Sequence, residues 1–354
     1  MSMKGIRRIL SFHGPWPTAT PSSLSPSSPS HPLPSSAPSS PNADHSYASD
    51  LIHEMTENIT RAEPVIHEWN VTGLETTTAS DRNTPESSLF HDKNRERARL
   101  FLDSVMDVNH SMHYFSASSG ATSRHQLVRA QRLMETAMKR LQKEFFQILS
   151  SIRDRIEIIN SSGGDDSVSA AMGELRAIAE CMVSSGYSKE CVRVYQILRR
   201  SVVEEGIYNL GFHRMNHSQL QKLDSDAIGN RIKIWIEASR PIIQTIFPRE
   251  KLLCENVFGS CSHLIAESCF AEISRDLAIN FFEFPEMIVK VEKKRSLEKV
   301  GDHYIDLYNS ISILLPDIQS LFKCPKSSTV LIQVTTSVNK LSKSIQSSSP
   351  HVNT

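Results

Sequence analysis

Long apolar runs are missing from this chain: nowhere do 18 or more apolar residues follow one another, so no membrane-crossing helix is predicted. The short apolar stretch at residues 9–12 falls well short of a secretory signal. A charge surplus is missing too. Lys plus Arg number 39 and Asp plus Glu number 39, whereas a general nucleic-acid binder needs excess cations to displace counterions from phosphates. A local basic patch stays compatible with that balance. The six cysteines lack metal and disulfide signatures. Cys181, Cys191, Cys254, Cys261, Cys269 and Cys324 form no CxxC pair, and no histidine stands at zinc-ligand spacing from them. Their neighbours are apolar in a helical rhythm, which predicts reduced, mostly buried thiols and fits a cytosolic protein. GxGxxG, GxxxxGK[ST], HExxH and GxSxG are all absent. Neither an enzyme nor a cofactor is expected.

Proline is absent from the whole stretch between Pro85 and Pro241. So long a stretch without the main helix breaker predicts stacked helices, and no strand alternation persists long enough to compete. The fold class expected is all-α. Residues 1–48 read differently. Nine of the 17 prolines lie between Pro15 and Pro41, interleaved with serine, and no acidic residue occurs before Asp44. Such a segment cannot bury enough apolar surface to offset its chain entropy and is expected to be disordered. Its start, MKGIRRILSF, sets Lys4, Arg7 and Arg8 beside Ile6, Ile9, Leu10 and Phe12. Three readings stay open there: a bland head, a basic-apolar element touching anionic lipid or a partner, and an organellar transit peptide.

From Asp50 the spacing turns helical. Asp50 is the expected cap of a helix that Pro64 should kink or split, residues 70–87 read as a loop, and a second helix is expected over 91–115. The longest element is predicted over 123–158. Leu127, Ala130, Met134, Met138, Leu141, Phe145, Ile148, Ile152 and Ile156 recur there at steps of three or four, close to a heptad. This stripe, notably Leu127, Met134, Leu141, Phe145 and Ile152, is the candidate partner-facing surface. Shorter amphipathic pieces are expected over 166–184, 188–211, 218–223, 227–247, 252–272, 276–282, 297–315 and 328–345, with Gly186, Gly206 and Gly211 at or near turns. The organisation expected is a head over 1–48, a long-helix region over 49–160, a bundle segment over 165–323 and a last helix with a polar tail over 324–354.

The densest positive cluster is Lys290, Lys293, Lys294, Arg295 and Lys299. It reads as a solvated face, or as a weak contact for lipid head groups or an acidic partner, with Glu292 and Glu298 cancelling part of its field. His110 and His113 stand one helical turn apart with no third ligand near in sequence, which favours a surface pair over a metal site. The adjacent carboxylates Glu204 and Glu205, and Asp165 and Asp166, point apart on a helix and make no acid/base dyad.

Specific strings then carry a resemblance. ELRAIAECMVSSGYSKECVRVYQILRRSVVEEGIYNLGFHRMN (174–216), KRLQKEFFQIL (139–149), RIKIWIEA (231–238), REKLLCENVFG (249–259) and ESCFAEIS (267–274) resemble the seventy-kilodalton subunit family of the exocyst tethering complex. The likeness is to its plant branch above all, where a Ser/Pro-rich head also precedes strings like ITRAEPVIHEWN. The resemblance implies an elongated rod of stacked antiparallel helices, with the family's C-terminal helical domain starting near residue 225. It implies a role in exocytosis, holding vesicles at the plasma membrane by contact with other exocyst subunits. Small GTPases and plasma-membrane phosphoinositides enter as partners only through the family role. The location implied is cytoplasmic and peripheral at plasma membrane or vesicles, with no nucleic acid and no small-molecule substrate.

Two departures qualify the match. The chain ends at Thr354, near half of a typical member, so the family's carboxy-terminal lipid surface is expected to have no counterpart. The alternative expectation is a truncated scaffold or dominant-negative fragment that binds partners without tethering. In LDSDAIGNRIKIW the usual aromatic after the Asp is replaced, and Ser225 and Gly229 are expected to loosen that helix start.

Overall fold

The computed structural model describes residues 41–69, 88–90, 94–153, 166–293 and 300–348. Among these residues helices account for all regular structure and no strand occurs. The chain divides into two compact units, residues 1–143 and 144–354.

The first unit holds α1 (Pro41–Glu68), α2 (Arg95–Ala117) and the front of α3 (Ala121–Ser151). α1 starts at Pro41 rather than at Asp50, so residues 41–48 of the expected head are helical; residues 1–40 lie outside the described residues. Pro64 does not split the helix. Met55, Ile59, Ala62 and Ile66 are buried on both sides of it, while Pro64 is exposed, where water can take the carbonyl its missing N–H leaves. α2 lays Phe101, Val105 and Val108 into the same core, and Ser111 Oγ donates to the Met55 carbonyl at 3.1 Å. Arg129 of α3 reaches Glu63 and Thr60 on α1, and the Arg140 guanidinium lies 5.4 Å from the centre of the Trp69 ring.

The second unit runs from the end of α3 through α4 (Asp166–Ser184), α5 (Ser188–Asn209), α6 (His217–Gln221), α7 (Ser225–Pro241), a π-turn (Ile242–Ile246), α8 (Phe247–Phe258), α9 (His263–Lys293), α10 (Val300–Leu321), a 3-10 turn (Pro325–Ser327) and α11 (Ser328–Ser348). Its starts and stops follow local chemistry. α4 ends on Gly186 at φ 86°, with the Tyr187 N–H returning to Met182 O at 2.8 Å and the Gly186 N–H to Val183 O at 3.1 Å. Asn216 and Gln219 exchange side-chain and backbone bonds at 2.8 and 2.9 Å to open α6.

Several expectations shift here. The start of α7 is not loose: Asp224 accepts from the Ala227 N–H at 2.8 Å, and Asp226 sits in the first turn, where the helix dipole favours an anion. Gly206 lies inside α5 rather than at a turn, and a Cβ there would make ordinary contact with Ile246 Cδ1 at 3.4 Å. The expected piece over 252–272 is two helices, broken at 259–262. The one expected over 276–282 is the middle of α9. α3 ends at Ser151, and Ile156 lies outside the described residues.

Pro241, Pro285 and Pro316 also sit inside helices. At Pro285 the compensation is explicit. A proline there leaves the Phe281 carbonyl without its helical N–H, and the buried Trp235 indole N–H donates to that carbonyl at 2.9 Å. Trp235 then stacks on Phe281 at 4.8 Å and 14°, while Phe212 meets Phe281 edge-on at 4.9 Å. One turn of aromatic packing thus joins α7, α9 and the segment after α5.

Candidate interaction surfaces

The expected partner-facing stripe is occupied by the protein itself. Met134, Leu141, Phe145 and Ile152 are buried, between 0 and 4% exposed, and Leu127 is half-buried. The apolar face of α3 therefore closes cores, and Phe145 lies 6.5 Å from the Tyr195 ring within the second unit. An amphipathic stripe goes first to its own chain's core; periodicity alone does not separate that core from a partner's. What α3 leaves to solvent includes Arg124, His125, Val128, Arg132, Glu135 and Lys139.

Lys290 is ion-paired with Glu286 one turn back at 2.7 Å, and Lys293 closes α9. Lys294, Arg295 and Lys299 lie outside the described residues. Glu292, expected to face the cluster, points inward: it is 2% exposed and its Oε1 stands 3.2 Å from His303 Nδ1 on α10. Burial pushes its carboxyl above the usual range, a rise that His303 partly offsets. Glu286 goes the other way. Its burial is outweighed by hydrogen bonds from Lys290, Lys340 and Gln333, which bring its carboxyl down to about 2 and tie α9 to α11.

Periodicity also gave no warning of the buried ionic cluster between α5 and α8. Arg199 Nε and its terminal nitrogen donate to Glu250 Oε2 at 3.0 and 2.8 Å, and the Tyr195 hydroxyl donates to Oε1 at 3.1 Å. Burial and the neighbouring thiol and carboxylate push the Tyr195 phenol well above its ordinary value. For Arg199, burial pulls down but the Glu250 charge outweighs it. A sequence signal did exist: Glu250 interrupts the stripe Phe247, Leu253, Cys254, Val257, and Tyr195 and Arg199 are one turn apart on a buried face.

The remaining candidates stay apart. His110 and His113 are both exposed on α2, and among the described residues no group of three His, Cys, Asp or Glu side chains could hold a metal ion. Glu205 pairs with Arg153. Cys181, Cys191, Cys254 and Cys269 are buried and Cys261 and Cys324 half-buried, all as free thiols. Burial pushes Cys191 and Cys254 well up. No helix among the described residues is long and apolar enough to cross a membrane.

Comparison with known proteins decides the lineage. A family model of the C-terminal region of the Exo70 exocyst complex subunit matches residues 233–352, and one of the N-terminal region of exocyst complex component Exo70 matches residues 58–151. The chain belongs to the Exo70 family. Among its relatives, exocyst complex component EXO70B2 of Arabidopsis thaliana is 27% identical over 219 residues, 55% of this chain and 36% of the relative. EXO70A1 of the same plant is 25% identical over 263 residues, 64% of this chain and 41% of the relative. EXO70C1, again from Arabidopsis thaliana, is 29% identical over 150 residues, 42% and 22% of the two chains. The chain thus spans less than half the length of these three Exo70 relatives.

Proposed function

We propose that this Exo70 family chain acts as a subunit of the exocyst, promoting vesicle tethering in exocytosis through helix contacts with other subunits and without catalysis. The observation carrying the reading is the presence of both Exo70 regions, N-terminal and C-terminal, in order on one all-helical chain. The residues brought together inside it are structural: the Arg199–Glu250 pair, the Trp235 stack and the Glu286 node each join helices rather than open a cleft. Exposed residues such as Leu100 on α2, Val128 on α3 and Ile313 on α10 remain for partners. Peripheral recruitment to plasma membrane or vesicles would follow from those partners, because the basic residue Lys290 is already paired.

The test is affinity purification of the tagged chain from plant cells, with the other exocyst subunits quantified by mass spectrometry. Recovery of several of them in near-constant ratio is the expected result; recovery of none would end the exocyst reading. A secretion assay run alongside separates tethering from mere contact, since a chain that only occupies partners lowers secretion of a marker when overproduced. Liposome flotation is expected to show little binding to phosphoinositide vesicles at physiological salt. Stable peripheral anchoring needs two signals, and each basic residue near an anionic surface contributes only about 1 kcal/mol.

A further inference from the structure

The first unit carries its charge unevenly along its length, and contacts between its helices fix which residues share a level. α1 and α2 run antiparallel: Ser111 reaches Met55 toward one end, and Arg97 pairs with Glu68 at the other. α3 runs parallel to α1, since Arg129 meets Thr60 and Glu63 while Arg140, three turns on, lies over Trp69. Around the level of Met55 stand the carboxylates Asp50, Glu54, Glu57 and Asp107, with Arg124 the one arginine or lysine beside them among the described residues. Toward the level of Glu68 stand Arg95, Arg97, Arg99, Arg132, Lys139 and Arg140, against Glu68, Glu96 and Glu135. Glu68 and Glu96 are already taken, by Arg97 at 3.2 Å and by Arg99 at 3.8 Å. Among the described residues the exposed side chains of Asp50, Glu54 and Glu57 at one end, and of Arg132 and Lys139 at the other, are in no ion pair. Glu135 offsets part of the basic field, as Arg124 offsets part of the acidic one. The unit thus has an acidic and a basic end, about 20 Å apart at 1.5 Å per helical residue. Midway between them Val128 on α3 is 47% exposed.

We propose that α1 and α3 of this unit form the contact face of a twofold dimer, in which two copies of the chain lie antiparallel, side by side. A twofold axis makes every contact twice, residue i on j and j on i. Here it sets Asp50, Glu54 and Glu57 of each copy against Arg132 and Lys139 of the other, with Val128 near its own counterpart at the axis. A parallel pairing would put acid on acid and base on base. The same chain supplies both halves of the charge pattern, and this singles out a second copy as the occupant. An anionic bilayer or a nucleic acid laid along this side would meet three unpaired carboxylates. End-to-end stacking is closed off at the basic end, because α3 runs on there to Ser151. Exposed ion pairs are individually weak and are screened by salt, so the dimer is loose and its charges fix register more than strength. The inference goes beyond the exocyst reading and does not depend on it.

The test is analytical ultracentrifugation of the full-length chain at micromolar concentration and neutral pH. A dimer is expected in low salt, and raising salt well above the physiological level should weaken it roughly tenfold. Glu54→Lys with Glu57→Lys turns the acidic end basic, and Arg132→Glu with Lys139→Glu turns the basic end acidic. Each double variant alone should be a monomer with unchanged circular dichroism. Mixed in equal amounts, the two should pair again, since one junction is then native and the other is reversed on both sides. A fluorescent label on one variant reads that mixed species directly. A chain that stays monomeric in low salt overturns the proposal. So does a dimer that either double variant leaves intact, a mixture that fails to pair, or association that runs past two copies. A variant that had merely unfolded would not pair on mixing, so misfolding cannot mimic the expected result. Failure here leaves the purification of exocyst subunits standing, and failure of that purification leaves this test standing.

Discussion

The two units of the chain solve the same packing problem with different chemistry. In the first, α1, α2 and the front of α3 meet mainly through aliphatic side chains, with Phe101 and Phe115 among them, and an ion pair between helices sits near solvent: Arg97–Glu68 at 3.2 Å has both side chains more than half exposed. In the second, aromatic rings stack in the interior and a charged pair is closed off from water, with Arg199 and Glu250 at 7% and 1% exposure. A surface ion pair in water is worth about 0–1 kcal/mol. A buried pair contributes little net stability as a pair but is costly to break, about 3–5 kcal/mol, because one charge is left alone in a dry interior. The second unit should therefore tolerate interior polar change far less than the first tolerates change at its ties.

The largest effect expected is at Glu250. Replacing it by Ala strands the Arg199 guanidinium and should cost about 3–5 kcal/mol in urea unfolding, whereas Arg199→Met combined with Glu250→Leu should cost only about 1–3 kcal/mol, the part due to the Tyr195 hydroxyl left without its acceptor. If the single and double variants lose equal stability, the cluster is packing rather than charge. Next comes Trp235→Phe, which keeps a ring in the stack but orphans the Phe281 carbonyl and should cost about 1–3 kcal/mol. Pro285→Ala restores a helical donor to that carbonyl, so in its presence the Trp235→Phe cost should shrink. Additive costs in the four-way cycle would break the link between the proline and the indole.

The acid limb of the stability curve sharpens the comparison within α9 itself. Glu286 has a carboxyl held down to about 2 in the fold, so its contribution is complete above the ordinary glutamate range and is lost as pH falls from there toward 2. Glu292, held above its ordinary value by burial, behaves oppositely: its contribution is complete at low pH and declines as pH rises through its raised value. Glu286→Gln should thus flatten the acid-side loss, and Glu292→Gln should leave neutral-pH stability unchanged or raise it. Chemical denaturation from pH 3 to 8 reads both slopes at once; matching slopes in the two variants would contradict the assignment. The smallest change belongs to the first unit, where Arg97→Ala should cost at most about 1 kcal/mol and less in high salt.

The helical character of the chain was legible from its apolar spacing, and the end of α4 follows from the left-handed glycine at Gly186. What misled was proline. Pro64 read as a kink or a break, because a breaker's cost is local while its remedy comes from the surroundings: exposure to water at Pro64 and, at Pro285, an indole from another helix. The α3 stripe was seen correctly as apolar and assigned to the wrong occupant, since Leu141 and Phe145 carry no mark of whose core they fill. The basic run misled through Glu292, which counts as surface charge in a linear reading yet lies on the inward side of α9.

The π-turn at Ile242–Ile246, closed by the Phe247 N–H on the Ile242 carbonyl, has a consequence for phase. Each added residue turns an α-helix by about 100°. Taking up one surplus residue within a single wide turn confines that rotation locally, so α7 can present Trp235 and α8 can present Glu250 to their own neighbours along one nearly continuous axis. The wide turn also spares the Pro248 ring a collision with the carbonyl four residues back. In this sense the segment works as a slip joint. A residue removed from it would be taken up there, whereas the same deletion a turn later would swing Glu250 away from Arg199.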